Sequence, residues 1–136
     1  MKSNFTDKQI QILEVAETLF ADKGFDGTSI RDISKIAKIN IAMISYYFGS
    51  KERLLESLLF YRTSDLKNQL DHLIQEELEP IDKINKLIEL YINRINKNKG
   101  IYRIIHFEFN SEKRAKSLTA FSELKKGNLK TLETII

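Results

Sequence analysis

The chain has no cysteine and no tryptophan, one proline, two histidines and five glycines among its 136 residues. Without cysteine, disulfides, thiolate metal sites and cysteine nucleophiles are all excluded. His72 and His106 alone cannot build a histidine-rich metal centre. So little glycine and proline is also too little punctuation for an all-β protein, which needs a turn signal every ~8–12 residues. No apolar run approaches the ~18 residues of a membrane span, and Met1–Phe5 opens no signal peptide. What is present is core-forming material: Leu, Ile, Val and Phe make up about a third of the chain, where disordered sequences fall below about a fifth. The expectation is a soluble, cytoplasmic, all-α protein that needs no cofactor or metal.

The net charge of +3 is small, but its placement is uneven. Between Arg31 and Arg53, the bases Arg31, Lys35, Lys38, Lys51 and Arg53 face only Asp32 and Glu52, so the whole excess lies in this stretch. A compact basic patch is the footprint of a polyanion partner. A solvated helical surface would carry the same charges.

Helix signals run along the whole chain. Thr6 and Gln9 form a capping box, with Phe5 and Ile10 as its hydrophobic staple. Ile12, Leu13, Ala16, Leu19 and Phe20 continue that helix as a buried stripe, and Gly24 ends it. Thr28 and Ser29 start a helix of about two turns, with Ile30, Ile33, Ile36 and Ala37 on one face. Asn40 caps another over Ile41 to Tyr47. Gly49-Ser50 opens a fourth, expected from Lys51 to about Leu78, passing from one core into a second before Pro80 stops it. Beyond Pro80, Ile81, Ile84, Leu87, Ile88, Tyr91, Ile92 and Ile95 form a stripe ending near Gly100. Ile101 to Phe109 suits a short helix, although its alternation would also suit a strand. Ser111 begins a last helix through Leu118, Phe121, Leu124, Leu129, Leu132 and Ile135, which has no stop signal.

Two short helices joined by a tight turn, the second flanked by bases, describe a helix-turn-helix. The spaced pattern Ile12-Leu13, Ala16, Leu19-Phe20, Gly24-Phe25, Thr28-Ser29-Ile30, Ile33, Ala37, Ile44, Tyr46-Tyr47-Phe48, Lys51 and Leu54-Leu55 resembles the DNA-binding domain of the TetR family of bacterial transcriptional regulators, from Phe5 to Arg62. The resemblance implies a DNA-binding domain over residues 1–50, with its helix-turn-helix at about 29–48. It also implies a helical regulatory domain over 51–136, which is expected to be truncated at its C-terminus. The expected partners are double-stranded operator DNA, an apolar or amphipathic small-molecule effector, and a second copy in a homodimer. No membrane is expected among the partners, and no catalytic activity.

The DNA-facing residues implied are Thr28, Ser29, Arg31, Lys38, Asn40, Ile41, Ala42, Met43, Ser45, Tyr46, Tyr47 and Lys51. Thr28 and Ser29 cap a helix whose free amides suit a phosphate. Arg31 and Lys51 lie in first turns, where a cation opposes the helix dipole unless a phosphate docks beside it. The stretch from Ile41 to Ile44 has almost no hydrogen-bond donors. That leaves Arg31 and Asn40 for base readout, and the apolar residues for thymine methyls. Lys38, Ala42 and Ser45 depart from the residues usual in the family. Tyr91, Tyr102, His106, Phe107, Phe109 and Phe121 are candidates for lining an effector pocket, or are plain core. His72 and Glu76, one turn apart, read as a solvated pair. Two rival readings stand beside the regulator. One is a helical interaction module that does not bind DNA, supported by the donor-poor helix. The other is a small-molecule enzyme, against which the lack of a catalytic constellation argues.

Overall fold

The computed structural model describes residues 4–109, 126–127, 129–130 and 132–135. Its elements are α1 (Asp7–Lys23), α2 (Ile30–Ala37), α3 (Ile41–Phe48), α4 (Lys51–Thr63), α5 (Leu66–Gln75), α6 (Pro80–Lys97) and α7 (Lys99–Phe109), with no strand among the described residues. Residues 99–109 are therefore helix. The capping box of α1 forms as expected: the Gln9 amide donates to Thr6 Oγ1 at 3.2 Å, and the Thr6 amide to Gln9 Oε1 at 2.9 Å. Gly24 follows α1 at φ 80° and ψ 162°, a combination that only glycine adopts without strain.

Among the described residues, two hydrophobic clusters form. The first gathers Ile12, Leu13, Ala16, Leu19 and Phe20 of α1, Ile33 and Ala37 of α2, Ile44 and Phe48 of α3, and Leu54 to Leu59 of α4. Ile101, Ile104 and Ile105 of α7 join it, so α7 sits on α1. Gly100 makes that approach possible, since a Cβ there would press within 3.3 Å of Glu17 Cγ. The second cluster is smaller: Leu66, Leu70 and Leu73 of α5, Leu87 of α6, and Ile135.

The fourth helix differs from expectation. It does pass from the first cluster into the second, but it breaks at Ser64-Asp65 instead of running to Leu78. The Arg62 carbonyl, which an unbroken helix would offer to the Leu66 amide, accepts from Arg94 Nη2 at 2.9 Å. A side chain inserted into the helical ladder is a recognised cause of a kink. α6 ends at Lys97, near Gly100 as expected, and Gly100 itself lies inside α7. Two further expectations change. Ile36 is exposed, because Ile33 and Ala37 take the face of α2 turned to the core. The stripe after Pro80 divides in two: Leu87 turns inward with Ile84, Leu90 and Tyr91, while Ile81, Ile88, Ile92 and Ile95 remain exposed. Residues 126–127, 129–130 and 132–135 are helical, with Ile135 buried and Leu129 and Leu132 exposed. The expected start of that last helix at Ser111 lies outside the described residues, as does Phe121.

Candidate nucleic-acid interface

The turn between α2 and α3 is fixed from both sides. Lys38 takes the left-handed conformation, φ 57° and ψ 40°, and Ser34 Oγ donates to the Ile39 carbonyl at 2.6 Å. From α1, Gln11 Nε2 donates to the Ala37 carbonyl at 2.8 Å. Neither Gln11 nor Ser34 stood out in the sequence, because an isolated polar residue on a helix has no signature until its acceptor is known. Ile39 closes the turn by burying its side chain in the first cluster.

α3 buries Ile44 and Phe48, half-buries Met43 and Tyr47 against the same cluster, and presents Ile41, Ala42, Ser45 and Tyr46 outward. Tyr46 is 85% exposed, an unusual position for an aromatic ring in a folded chain. It stands 5.8 Å from the Tyr47 ring, centroid to centroid. Arg31, Lys35 and Lys38 are exposed on α2 and its turn, and Arg53 on α4. A short helix thus projects an uncharged face beside a set of basic side chains, in the way a reading helix needs flanking phosphate contacts.

Several predicted contacts find other partners. Asn40 caps α3, its Oδ1 accepting from the Met43 amide at 3.1 Å. That bond uses one of the two lone pairs of Oδ1 and leaves both Nδ2 donors open. Thr28 is buried, its hydroxyl donating to the carbonyls of Gly24 at 2.8 Å and Leu19 at 3.2 Å. The Ser29 amide donates to Asp32 Oδ2, and the Asp32 amide donates back to Ser29 Oγ, both at 3.0 Å. The Thr28 and Ser29 amides are therefore engaged within the protein, the former by the Phe25 carbonyl. The Ser29 amide, followed by the Ser29 hydroxyl's bond, holds the Asp32 carboxyl below its ordinary value.

Lys51 reaches inward as well. Its Nζ donates to the carbonyls of Phe25 at 2.9 Å and Thr28 at 3.1 Å, and lies 4.2 Å from the centroid of the Phe25 ring. It ties the loop before α2 to the start of α4. A cavity of about 400 Å³ opens there, lined by Asp26, Gly27, Thr28, Ser29, Ile30, Asp32 and Lys51. Its charged lining is two carboxylates against one ammonium.

Of the candidates for an effector pocket, Tyr91 and Tyr102 lie near one another, His106 and Phe107 are exposed on α7, and Phe121 and the Phe109 side chain lie outside the described residues. Tyr91 is half-buried against the second cluster, and burial raises its phenol above the usual value. Tyr102 packs on the first cluster, and its hydroxyl accepts from Arg94 Nε at 3.2 Å. His106 is exposed, 6.1 Å from the Phe107 ring, which is itself 62% exposed. A groove of about 360 Å³ between α5 and α6 is lined instead by Asn68, Gln69, His72, Leu73, Glu76, Lys86 and Leu90. Within it Glu76 pairs with Lys86 at 2.8 Å, not with His72. No His, Asp and Glu cluster suited to a metal occurs among the described residues. Nor, among them, is any helix long and apolar enough to cross a membrane.

Residues 12–58 match the sequence profile of the bacterial regulatory proteins of the tetR family. The chain is 51% identical over 59 residues to a probable HTH-type transcriptional regulator, YttP, of Bacillus subtilis, covering 43% of this chain and 27% of that protein. It is 52% identical over 48 residues to the HTH-type transcriptional repressor NicS of Pseudomonas putida, covering 35% of this chain and 23% of that one. The matched part thus spans about a quarter of these relatives' length. Among solved structures, the hemolysin II transcriptional regulator HlyIIR superposes with a TM-score of 0.78 at 29% identity, covering 94% of this chain and 70% of that one. The fatty acid degradation regulator FadR from Bacillus halodurans shares the fold, with a TM-score of 0.82 at 20% identity over 98% of this chain and 68% of that one.

Proposed function

We propose, from the premise that the N-terminal domain of this chain belongs to the tetR family of bacterial regulatory proteins, that the protein regulates transcription by binding operator DNA through α2 and α3. The observation that carries this reading is the outward face of α3: Ile41, Ala42, Ser45 and Tyr46 exposed on a capped helix, with Arg31, Lys35 and Lys38 beside it. Arg31, Lys38, Ser45, Tyr46 and Tyr47 reach phosphates, Arg31 also reaches a base edge, and Ile41, Ala42 and Met43 meet thymine methyls. The preferred half-site is accordingly rich in A·T pairs. The action is repression, the function in the name of the relative NicS, and a small apolar or amphipathic effector bound in the regulatory part over 51–136 lowers operator affinity. Two such heads act together in a homodimer, because half-sites in successive major grooves lie ~34–36 Å apart. The exposed isoleucines of α6 favour association, as unpartnered apolar surface does. The protein works in the cytoplasm and carries out no catalysis, in keeping with relatives named as transcriptional regulators.

The test is binding to the duplex DNA upstream of the protein's own gene, titrated with salt, with and without candidate effectors. Specific binding whose affinity falls steeply with salt supports the reading. Binding no tighter than to unrelated duplex leaves the rival, a helical interaction module, in its place.

A further inference from the structure

Arg94 is a buried charged side chain at the junction of the two clusters. It is 7% exposed, on the inward face of α6. Its Nη2 donates to the Arg62 carbonyl at 2.9 Å and to Asp65 Oδ1 at 3.1 Å, its Nη1 to Gln69 Oε1 at 3.1 Å, and its Nε to the Tyr102 hydroxyl at 3.2 Å. These partners lie at the end of α4, in the break, on α5 and on α7. Arg62 and Tyr102 belong to the side of the first cluster, Gln69 and Arg94 to the side of the second. One guanidinium therefore spans the seam between the cores at the point where the helix breaks.

The break has little cause other than this contact. Ser64 lies at φ −60°, ψ −28° and Asp65 at φ −85°, ψ −14°, both within or near the helical region. The leucines from Leu54 to Leu73 keep helical spacing across it, and neither proline nor glycine stands between Lys51 and Gln75. Asp65 makes no side-chain cap for α5. If the Arg62 carbonyl were released, it would be free to accept the Leu66 amide, and the helix could run on. A buried guanidinium also tolerates little displacement, since each donor it loses leaves charge unsolvated. On the other side of the joint, Arg62 Nε and Nη2 hold both carboxylate oxygens of Glu17, at 2.9 and 2.8 Å. The Arg62 residue thus links Arg94 to α1.

We propose that Arg94 is a positioning residue that sets the angle of the α4–α5 joint and, through it, how the α2–α3 surface is presented to DNA. The second half of this statement rests on the function proposed above. Because the chain has no cysteine, Asp22→Cys in α1 and Asp71→Cys in α5, both at exposed positions, give a unique pair for spin labels on either side of the joint. In that background Arg94→Met, with thermal melting to confirm a cooperative fold, shifts and broadens the distance distribution measured without DNA. Affinity for the duplex upstream of the gene falls about tenfold, within the range of ordinary coupling between sites, although every residue of α2 and α3 is intact. Should Arg94→Met fail to fold, Asp65→Ala with Tyr102→Phe removes two of the guanidinium's partners and shifts the distance in the same direction. A distribution superposable on the parent's in a folded variant overturns the proposal. So does a shifted distribution with unchanged DNA affinity. A parent chain that binds no duplex counts against the proposed function, and the distance measurement then still decides the role of Arg94.

Discussion

Two of the ammonium donors of Lys51 are committed to the carbonyls of Phe25 and Thr28, and its charge rests on the Phe25 ring. Hydrogen bonds from a charged group contribute about 1.5–3 kcal/mol each, but this side chain is half-exposed, so one such contribution is the better guide. Lys51→Met is expected to lower stability by about 1.5–3 kcal/mol, read as a lower denaturant midpoint at unchanged slope. It should weaken DNA binding for all sequences alike, since it loosens the loop leading into α2. Lys38 is the converse case. A left-handed lysine costs roughly 1–2 kcal/mol relative to glycine, so Lys38→Gly should stabilise the fold while flattening the salt dependence of DNA binding by about one counterion. Chemical denaturation and salt titration of the one variant should move in opposite senses. Asp32 supplies a pH signature. Its folded pKa lies below the ordinary 3.8 because the Ser29 amide donates to it. A depressed carboxyl contributes stability above its unfolded pKa, and that contribution is lost as pH falls through the folded pKa. Asp32→Asn should therefore show a shallower loss of stability below about pH 4 than the parent, measured by denaturant midpoints across that range.

Local signals mark α1, α2 and α3 completely: Thr6, Ser29 and Asn40 cap them as their neighbours in sequence suggest, and the capping bonds span three residues. The break after Thr63 is set by Arg94, 32 residues away from Arg62, and no window of sequence contains it. A clue was present nonetheless. Arg94 follows Leu87 and Tyr91 at four- and three-residue steps, so a base occupied the inward face of an apolar stripe. The site was legible to a similar degree. The basic flank followed from the placement of charge and the α3 candidates from the family resemblance, whereas the inward turn of Thr28 and Lys51 depended on carbonyls that only the folded loop brings near. That loop is tight at Gly27, where a Cβ would collide with the Lys23 carbonyl oxygen. Gly27→Ala should force the α1–α2 connection to shift, at a cost of about 1–3 kcal/mol as overpacking usually has. Thermal melting would register the loss, and an unchanged midpoint would mean the loop yields freely.

Among the described residues the two clusters are unequal: the one around α1 and α4 is much the larger, and the α5–α6 cluster leans on it across a polar seam. Regions with fewer buried apolar contacts open at lower free energy. Native-state hydrogen exchange should accordingly find amides around Leu70 and Leu87 opening well below the global unfolding free energy, with those around Leu13 and Leu58 close to it. Equal protection throughout would mean the seam does not divide the molecule. The division has a mechanical meaning. α4 is 13 residues long, and at about 1.5 Å per residue it forms a lever of about 20 Å, pivoted at Ser64-Asp65 and carrying the proposed DNA-binding surface at its far end. A tilt of about 10° at the pivot moves that end by about 3.4 Å, the spacing of successive bases along a strand. A small adjustment around one guanidinium, multiplied along such an arm, would shift the proposed reading helix by one base step.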